Sequence, residues 1–163
     1  MLLYLRHGDD RGEDAYKHDR ELNARGRKKA EKAFGRLVER YGHPDTMFVS
    51  PYRRAMQTLE AMKPRFTRPV VVHRDPRVAQ YVGGKRVPVV SPETAACVDI
   101  DEGFDAFRTR VADHAEDARR RAEAGAVLWC ITHQVVIEEV ARHFGVGAPA
   151  ELDFLDPVIV LAR

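Results

Sequence analysis

The strongest constraint on this chain is an alternation. Short apolar runs are separated, from one end to the other, by longer stretches whose apolar residues recur at spacings of three and four. The short runs are too brief for buried helices and read as strands covered on both faces; the longer stretches read as helices with one apolar side. Five strands are predicted: Leu2 to Leu5, Met47-Phe48-Val49, Val70-Val71-Val72, Ala126 to Ile131, and Pro157 to Leu161. Asn23 can cap a first helix that carries Ala30, Ala33, Phe34, Leu37, Val38 and Tyr41, with Gly42 as its stop. A second helix runs from about Tyr52 to Met62 and ends before Pro64. Phe104, Phe107, Val111, Ala115 and Ala118 mark a third, ending near Gly125. Val135 to Phe144, closed by Gly145, is the fourth. Residues 9–21 are polar and read as a loop. Residues 74–101, broken by Pro76, Gly83-Gly84, Pro88 and Pro92, predict an extended loop with at most a short strand or turn. Strands alternating with helices define the α/β class: a three-layer αβα sandwich with a mostly parallel central sheet and helices on both faces.

Composition narrows the setting. At 163 residues the expectation is one domain, spanning 1–163, with enough buried surface to need no staples. Cys97 and Cys130 cannot make a disulfide framework, and Cys130, inside Val127-Leu128-Trp129-Cys130-Ile131, reads as a small buried apolar residue. No apolar run reaches the roughly 18–20 residues of a membrane span. Met1-Leu2-Leu3-Tyr4-Leu5-Arg6 lacks the basic start of a signal peptide. A cytoplasmic protein with no membrane partner is expected. The net charge of +2 is too slight to argue for nucleic acid, and Arg119-Arg120-Arg121 reads as a solvated helix face.

In such sheets, ligands bind beyond the carboxyl ends of the strands. The first strand ends in Arg6-His7-Gly8, the second in Ser50-Pro51-Tyr52-Arg53-Arg54, and the central one in Thr132-His133-Gln134. Two histidines and several arginines therefore meet at one rim. Cations gathered there need an anion, and guanidinium groups hold phosphate oxygens bidentately. Helices beginning after Ser50 and His133 add backbone N–H groups and the positive end of a dipole. A neutral imidazole beside those cations can also act as a nucleophile on phosphorus. A metal site is disfavoured, because there is no His-x-His or Cys-x-x-Cys pair and the arginines would repel a cation. No cofactor is called for.

These segments carry a family resemblance. Leu5-Arg6-His7-Gly8, Ser50-Pro51-Tyr52-Arg53-Arg54-Ala55-Met56-Gln57-Thr58 and Ile131-Thr132-His133 together resemble the histidine phosphatase superfamily, the phosphoglycerate mutase-like fold. Leu22-Asn23-Ala24-Arg25-Gly26 and Phe107-x-x-Arg110-Val111 resemble further stretches of that family. The resemblance implies a metal-independent phosphatase with His7 as the nucleophile and Arg6, Arg54 and His133 completing a phosphate pocket. It adds Gly8, Arg20 and Gln134 as substrate-binding candidates and leaves Arg53 outside the pocket. Two departures stand out. Gln80 lies where many members carry a glutamate proton donor, and glutamine cannot donate that proton. Asp75, Glu93 and Asp101 are the carboxyls that could substitute. Glu13 stands where the family often has Asn, and a carboxylate there should point away from a phosphate dianion.

The chain lacks the length of a capped sugar-phosphate mutase and is closer to the small phosphohistidine phosphatase branch. Such a branch implies a phosphorylated protein side chain as substrate, and a P–N bond tolerates the loss of a donor at Gln80. Two further readings stay open: a phosphomonoesterase acting on small molecules, and a phospho-ligand binder that has lost its acid.

Overall fold

A computed structural model of the chain describes residues 1–10, 20–81, 102–147 and 151–161. The five predicted strands form one sheet: β1 (Leu2–Arg6), β2 (Thr46–Val49), β3 (Val71–Arg74), β4 (Leu128–Thr132) and β5 (Pro157–Leu161), in the order β3-β2-β4-β1-β5. β1 and β2 both run parallel to β4, and β3 runs parallel to β2. Only the edge strand β5 is antiparallel, against β1. Four helices cover the sheet: α1 (Ala24–Tyr41), α2 (Arg53–Met62), α3 (Phe104–Glu123) and α4 (Gln134–Phe144).

Side chains alternate across a strand, and here that period of two builds two cores. Leu3 and Leu5 of β1, Met47 and Val49 of β2, and Trp129 and Ile131 of β4 point to one face. There they pack with Ala30, Phe34 and Leu37 of α1 and Ala55 and Leu59 of α2. Leu2, Tyr4, Phe48, Leu128 and Cys130 point to the other, against Phe107, Val111 and Ala115 of α3 and Ile137 and Val140 of α4. The result is the three-layer α/β arrangement expected from the alternation.

The differences are local and have physical causes. Ala126 and Val127 precede β4 instead of opening it. The Val127 N–H donates to the Asp45 carboxylate at 2.8 Å and its carbonyl accepts from Asp45 N at 2.9 Å, so the chain is held there by a side chain and not by a ladder. The first part of the predicted loop after β3 is ordered: Asp75 caps a 3₁₀ turn over Pro76–Val78, and Val78 and Ala79 are buried. α2 starts at Arg53, one residue later than the spacing suggests, and α4 at Gln134, one residue earlier; Tyr52 and His133 keep extended dihedrals and serve as their N-caps. Most of the predicted 9–21 loop and residues 82–101 lie outside the described residues, and with them Glu13, Glu93, Cys97 and Asp101.

α1 is bonded to the segment that follows β1. Asn23 N donates to the Asp9 carbonyl at 3.1 Å, and the Asn23 side chain caps Gly26 N at 2.7 Å. Gly26 lies so close that a Cβ there would sit 2.2 Å from the Asp9 carbonyl oxygen. A methyl group cannot fit without moving backbone two residues after His7. Gly26→Ala is therefore expected to cost about 1–3 kcal/mol of stability and to lower the phosphatase activity that the resemblance implies. Chemical denaturation together with turnover of an aryl phosphate checks both; wild-type values for the two would contradict the packing.

Candidate active site

The rim is assembled by three adjacent parallel strands. His7 directly follows β1, Ser50 follows β2 and His133 follows β4. His7 N donates to Thr132 O and Ser50 N to Ile131 O, both at 2.9 Å, so the ladder extends one step past the strands and aligns the three residues. The imidazoles of His7 and His133 lie with centroids 5.1 Å apart.

Arg54, in the first turn of α2, is the hub. It is buried, and its Nε donates to His7 Nε2 at 3.0 Å while Nη2 donates to His133 Nδ1 at 3.1 Å. Nη2 also donates to Gln80 Oε1. A guanidinium has no acceptor, so both ring nitrogens facing it must be unprotonated. The protons then lie on the opposite nitrogens. His7 Nδ1–H donates to the Gly8 carbonyl at 2.8 Å, and His133 Nε2–H donates to Ser50 Oγ at 2.7 Å. Burial holds both imidazoles well below the usual histidine pKa, and the Arg54 charge lowers them further. Thr58 secures the hub from behind: its hydroxyl donates to Arg54 O at 2.7 Å and accepts from Gly8 N at 2.9 Å.

A cavity of about 310 Å³ opens over these groups. Arg6, His7, Arg54 and His133 line it, joined by Arg20, Gln80, Gln134 and Glu138. Arg6 donates to the Leu152 carbonyl and lies 4.4 Å above the Phe154 ring, which fixes its guanidinium. α4 starts at the pocket wall, and its Gln134 Nε2 donates to Glu138 Oε1 at 2.7 Å. Such a concentration of guanidinium groups and unprotonated imidazoles suits a tetrahedral oxyanion.

The remaining sequence candidates separate by place. Gly8 does not line the cavity: its N–H is committed to Thr58, and a Cβ on it would press on Leu22 and the Gly26 carbonyl at 3.3 Å. Its demand for glycine comes from packing against α1, which corrects its assignment as a substrate-binding residue. Arg53 pairs with Glu21 at 2.6 Å on the outside, away from the cavity. Asp75 is no proton donor to this pocket. Burial alone would raise its pKa, but hydrogen bonds from His114 and Arg77 outweigh it and keep the carboxyl ionised far below its ordinary range. It accepts from Arg77 at 2.7 Å, lies 3.1 Å from His114 Nδ1 and is absent from the cavity wall.

Two carboxylates escaped the sequence reading. Asp10 is buried, 3.1 Å from Arg20 Nη2 and 3.6 Å from Arg54 Nε, and offsets part of the pocket's positive charge. It lies three residues after His7, in the short polar segment beyond the Arg-His-Gly motif, and its spacing alone does not reveal its partners. Glu138 gave less signal, since one acidic residue on a helix is ordinary. Among the described residues, no group of three or more His, Cys, Asp or Glu side chains gathers as a metal cluster would. No described helix is long and apolar enough to cross a membrane.

Fold and site together define an α/β protein with a histidine-centred oxyanion pocket at the carboxyl edge of its sheet. Residues 2–81 match the sequence model of the histidine phosphatase superfamily (branch 1). No curated protein matches the sequence significantly. Among solved structures, the chain is similar to the protein histidine phosphatase SixA complexed with tungstate, with a TM-score of 0.61 at 19% identity over 94% of this chain and 83% of that one. It is also similar to the ecdysone phosphate phosphatase of Bombyx mori, likewise with tungstate, at TM-score 0.71 and 14% identity, covering 96% and 86% of the two chains. A mycobacterial glucosyl-3-phosphoglycerate phosphatase gives TM-score 0.61 at 18% identity, covering 90% and 80%. These likenesses share the phosphoglycerate mutase-like fold and differ in substrate.

Proposed function

We propose that the protein is a phosphatase that works through a phosphohistidine on His7. The observation that carries this is the His7 tautomer: its Nδ1–H is held by the Gly8 carbonyl, which leaves the Nε2 lone pair facing the cationic cavity beside Arg54. In the first step Nε2 bonds to phosphorus while the bond to the leaving group breaks. In the second, water attacks phosphorus, the P–N bond to His7 breaks, and inorganic phosphate departs. Arg6, Arg54 and His133 bind the phosphoryl oxygens and stabilise their charge in both steps. Arg20 and Gln134 contact substrate from the wall. No metal is required for any of these steps.

The leaving group decides the substrate class. Gln80 has no proton to give, so the enzyme favours groups that depart without an acid. An imidazole already protonated on its other ring nitrogen leaves phosphorus as a neutral base. Phosphohistidine on a protein is therefore the preferred substrate, and the similarity to the protein histidine phosphatase SixA supports that choice. The similarity to a glucosyl-3-phosphoglycerate phosphatase supports a second reading, hydrolysis of a small alkyl phosphate.

A screen separates the two. Wild-type protein in EDTA should hydrolyse phosphohistidine and 4-nitrophenyl phosphate and be at least tenfold poorer on glycerol phosphates, measured as kcat/KM. Gln80→Glu should raise the rate on alkyl phosphates relative to aryl phosphates. Fast turnover of alkyl phosphates by the wild type, with phosphohistidine untouched, would establish the second reading instead.

A further inference from the structure

One face of α1 is charged in a way no other described surface is. Arg25, Lys28, Lys29, Lys32 and Arg36 follow one another at spacings of one, three and four. At 3.6 residues per turn they fall within an arc of about 100° and extend about 16 Å along the helix. Four of the five are exposed and Lys29 is half-buried. None makes an ion pair or hydrogen bond among the described residues. Elsewhere the surface cations are mostly paired: Arg65 with Glu31 at 2.8 Å, Lys63 with Glu60 at 2.6 Å, Arg119 with Glu116 at 2.9 Å and Arg121 with Asp117 at 3.3 Å. Glu31, the acidic residue inside the same stretch, is taken up by Arg65 after α2. Glu39 comes only at the far end of the face.

The stripe also accounts for the sign of the whole chain. The sequence has 27 Lys and Arg against 25 Asp and Glu; without these five cations, carboxylates are in excess. The slight net charge therefore hides a dipolar surface, and unpaired like charges on one helix destabilise it unless something outside neutralises them. Ala24, Arg25, Lys28, Lys29 and Lys32 line a shallow depression of about 360 Å³, floored largely by aliphatic stems. Its near end is tied to the segment that carries the site: Asn23, two residues before Arg25, donates to the Asp9 carbonyl, and Asp9 is two residues beyond His7.

We infer that this face of α1 docks an acidic surface of the protein that carries the phosphoryl group. The inference rests on the proposed protein phosphohistidine activity and adds where that substrate is held. Aliphatic stems between the charges favour a protein partner, which offers apolar contacts between its carboxylates. The helix face has no aromatic residue on which a nucleic-acid base could stack.

A pair of synthetic phosphohistidine peptides tests it, one flanked by Glu and Asp and the other by Gln and Asn. Wild-type protein should prefer the acidic peptide by about tenfold in kcat/KM near 50 mM salt, mostly through KM, and lose most of that preference near 500 mM. Lys28→Glu combined with Lys29→Glu and Lys32→Glu should abolish or reverse the preference and leave turnover of 4-nitrophenyl phosphate unchanged. An undiminished preference in that triple variant overturns the docking surface. If neither peptide is hydrolysed, the substrate reading fails. Docking is then judged by fluorescence anisotropy with the unphosphorylated acidic peptide, where equal binding to wild type and variant overturns it. Tighter binding of a 20-base-pair DNA duplex than of the acidic peptide near 150 mM salt would reassign the face to nucleic acid and overturn the inference as well.

Discussion

His7→Ala should lower kcat by about a thousandfold or more while the protein stays folded. The substitution removes the proposed nucleophile, and no other described side chain can replace it from the same direction. His133 is the nearest other imidazole, but its Nε2–H is held by Ser50 and its ring centroid lies 5.1 Å from that of His7, so it meets the cavity from a different position. An oxyanion such as vanadate should still bind, because Arg6, Arg20 and Arg54 remain on the wall. The chemical signature is sharper than the rate. Wild-type enzyme quenched in alkali during turnover of labelled substrate should retain label as an alkali-stable phosphohistidine, and the variant should retain none. A variant with a tenth of wild-type kcat, or with label undiminished, would remove His7 from the reaction path.

The same residue sets the acid limb of activity. Burial, and after it the Arg54 charge, hold His7 below the ordinary histidine value of 6.5. The ring therefore stays neutral and nucleophilic at pH 6.5, and kcat/KM should begin to fall only below that pH. Stability follows the same sign. A histidine with a lowered folded pKa favours the folded state above 6.5, and that contribution is lost as pH falls through the lowered value, because the unfolded chain takes up the proton first. His133 is shifted in the same direction, so the two contributions act together.

Much of this site was legible in the sequence, and the reason is geometric. Adjacent parallel strands that end together must bring the residues just beyond them to one rim, so Arg6-His7, Ser50 and Thr132-His133 could be placed from periodicity alone. Arg54 needed the family motif, because Arg53 and Arg54 are chemically alike and only the helix register sends one inward and the other to Glu21. The charge balance around the arginines was not legible. Asp10 sits within one short polar segment, and nothing in its spacing shows that its carboxylate turns toward Arg20 and Arg54. His114 was equally hidden. It occupies the apolar face of α3 between Val111 and Ala118, packed edge-on against Phe48, and meets Asp75 from 39 positions away. That contact withdraws Asp75 from the pocket, and a contact so distant in sequence leaves no periodic trace. The direction of β5 belongs to the same class. The segment reads as a strand, but its orientation depends on the path between α4 and Pro157.

Arg54→Ala should be the more damaging of the arginine changes, because one guanidinium performs three tasks. It orients the His7 lone pair, it orients His133, and it lines the cavity proposed to hold the phosphoryl oxygens. Loss of a single charge-stabilising donor costs about 10²–10³ in rate, or roughly 3–4 kcal/mol, and the two unfixed imidazoles should add to that. Stability should fall too. Among the described residues, buried Asp10 would keep only Arg20 as a cationic partner, and an under-compensated buried carboxylate is strongly destabilising. The pH profile distinguishes this account from simple loss of affinity. Arg54 is the second largest cause of the lowered His7 pKa, so its removal should move the acid limb of kcat/KM up toward 6.5. Arg54→Lys should restore little, since an ammonium cannot donate in a fixed plane to His7, His133 and Gln80 together. A variant within a few-fold of wild type in kcat/KM, or one whose acid limb stays in place, would dissolve the hub and leave the two histidines to be explained separately.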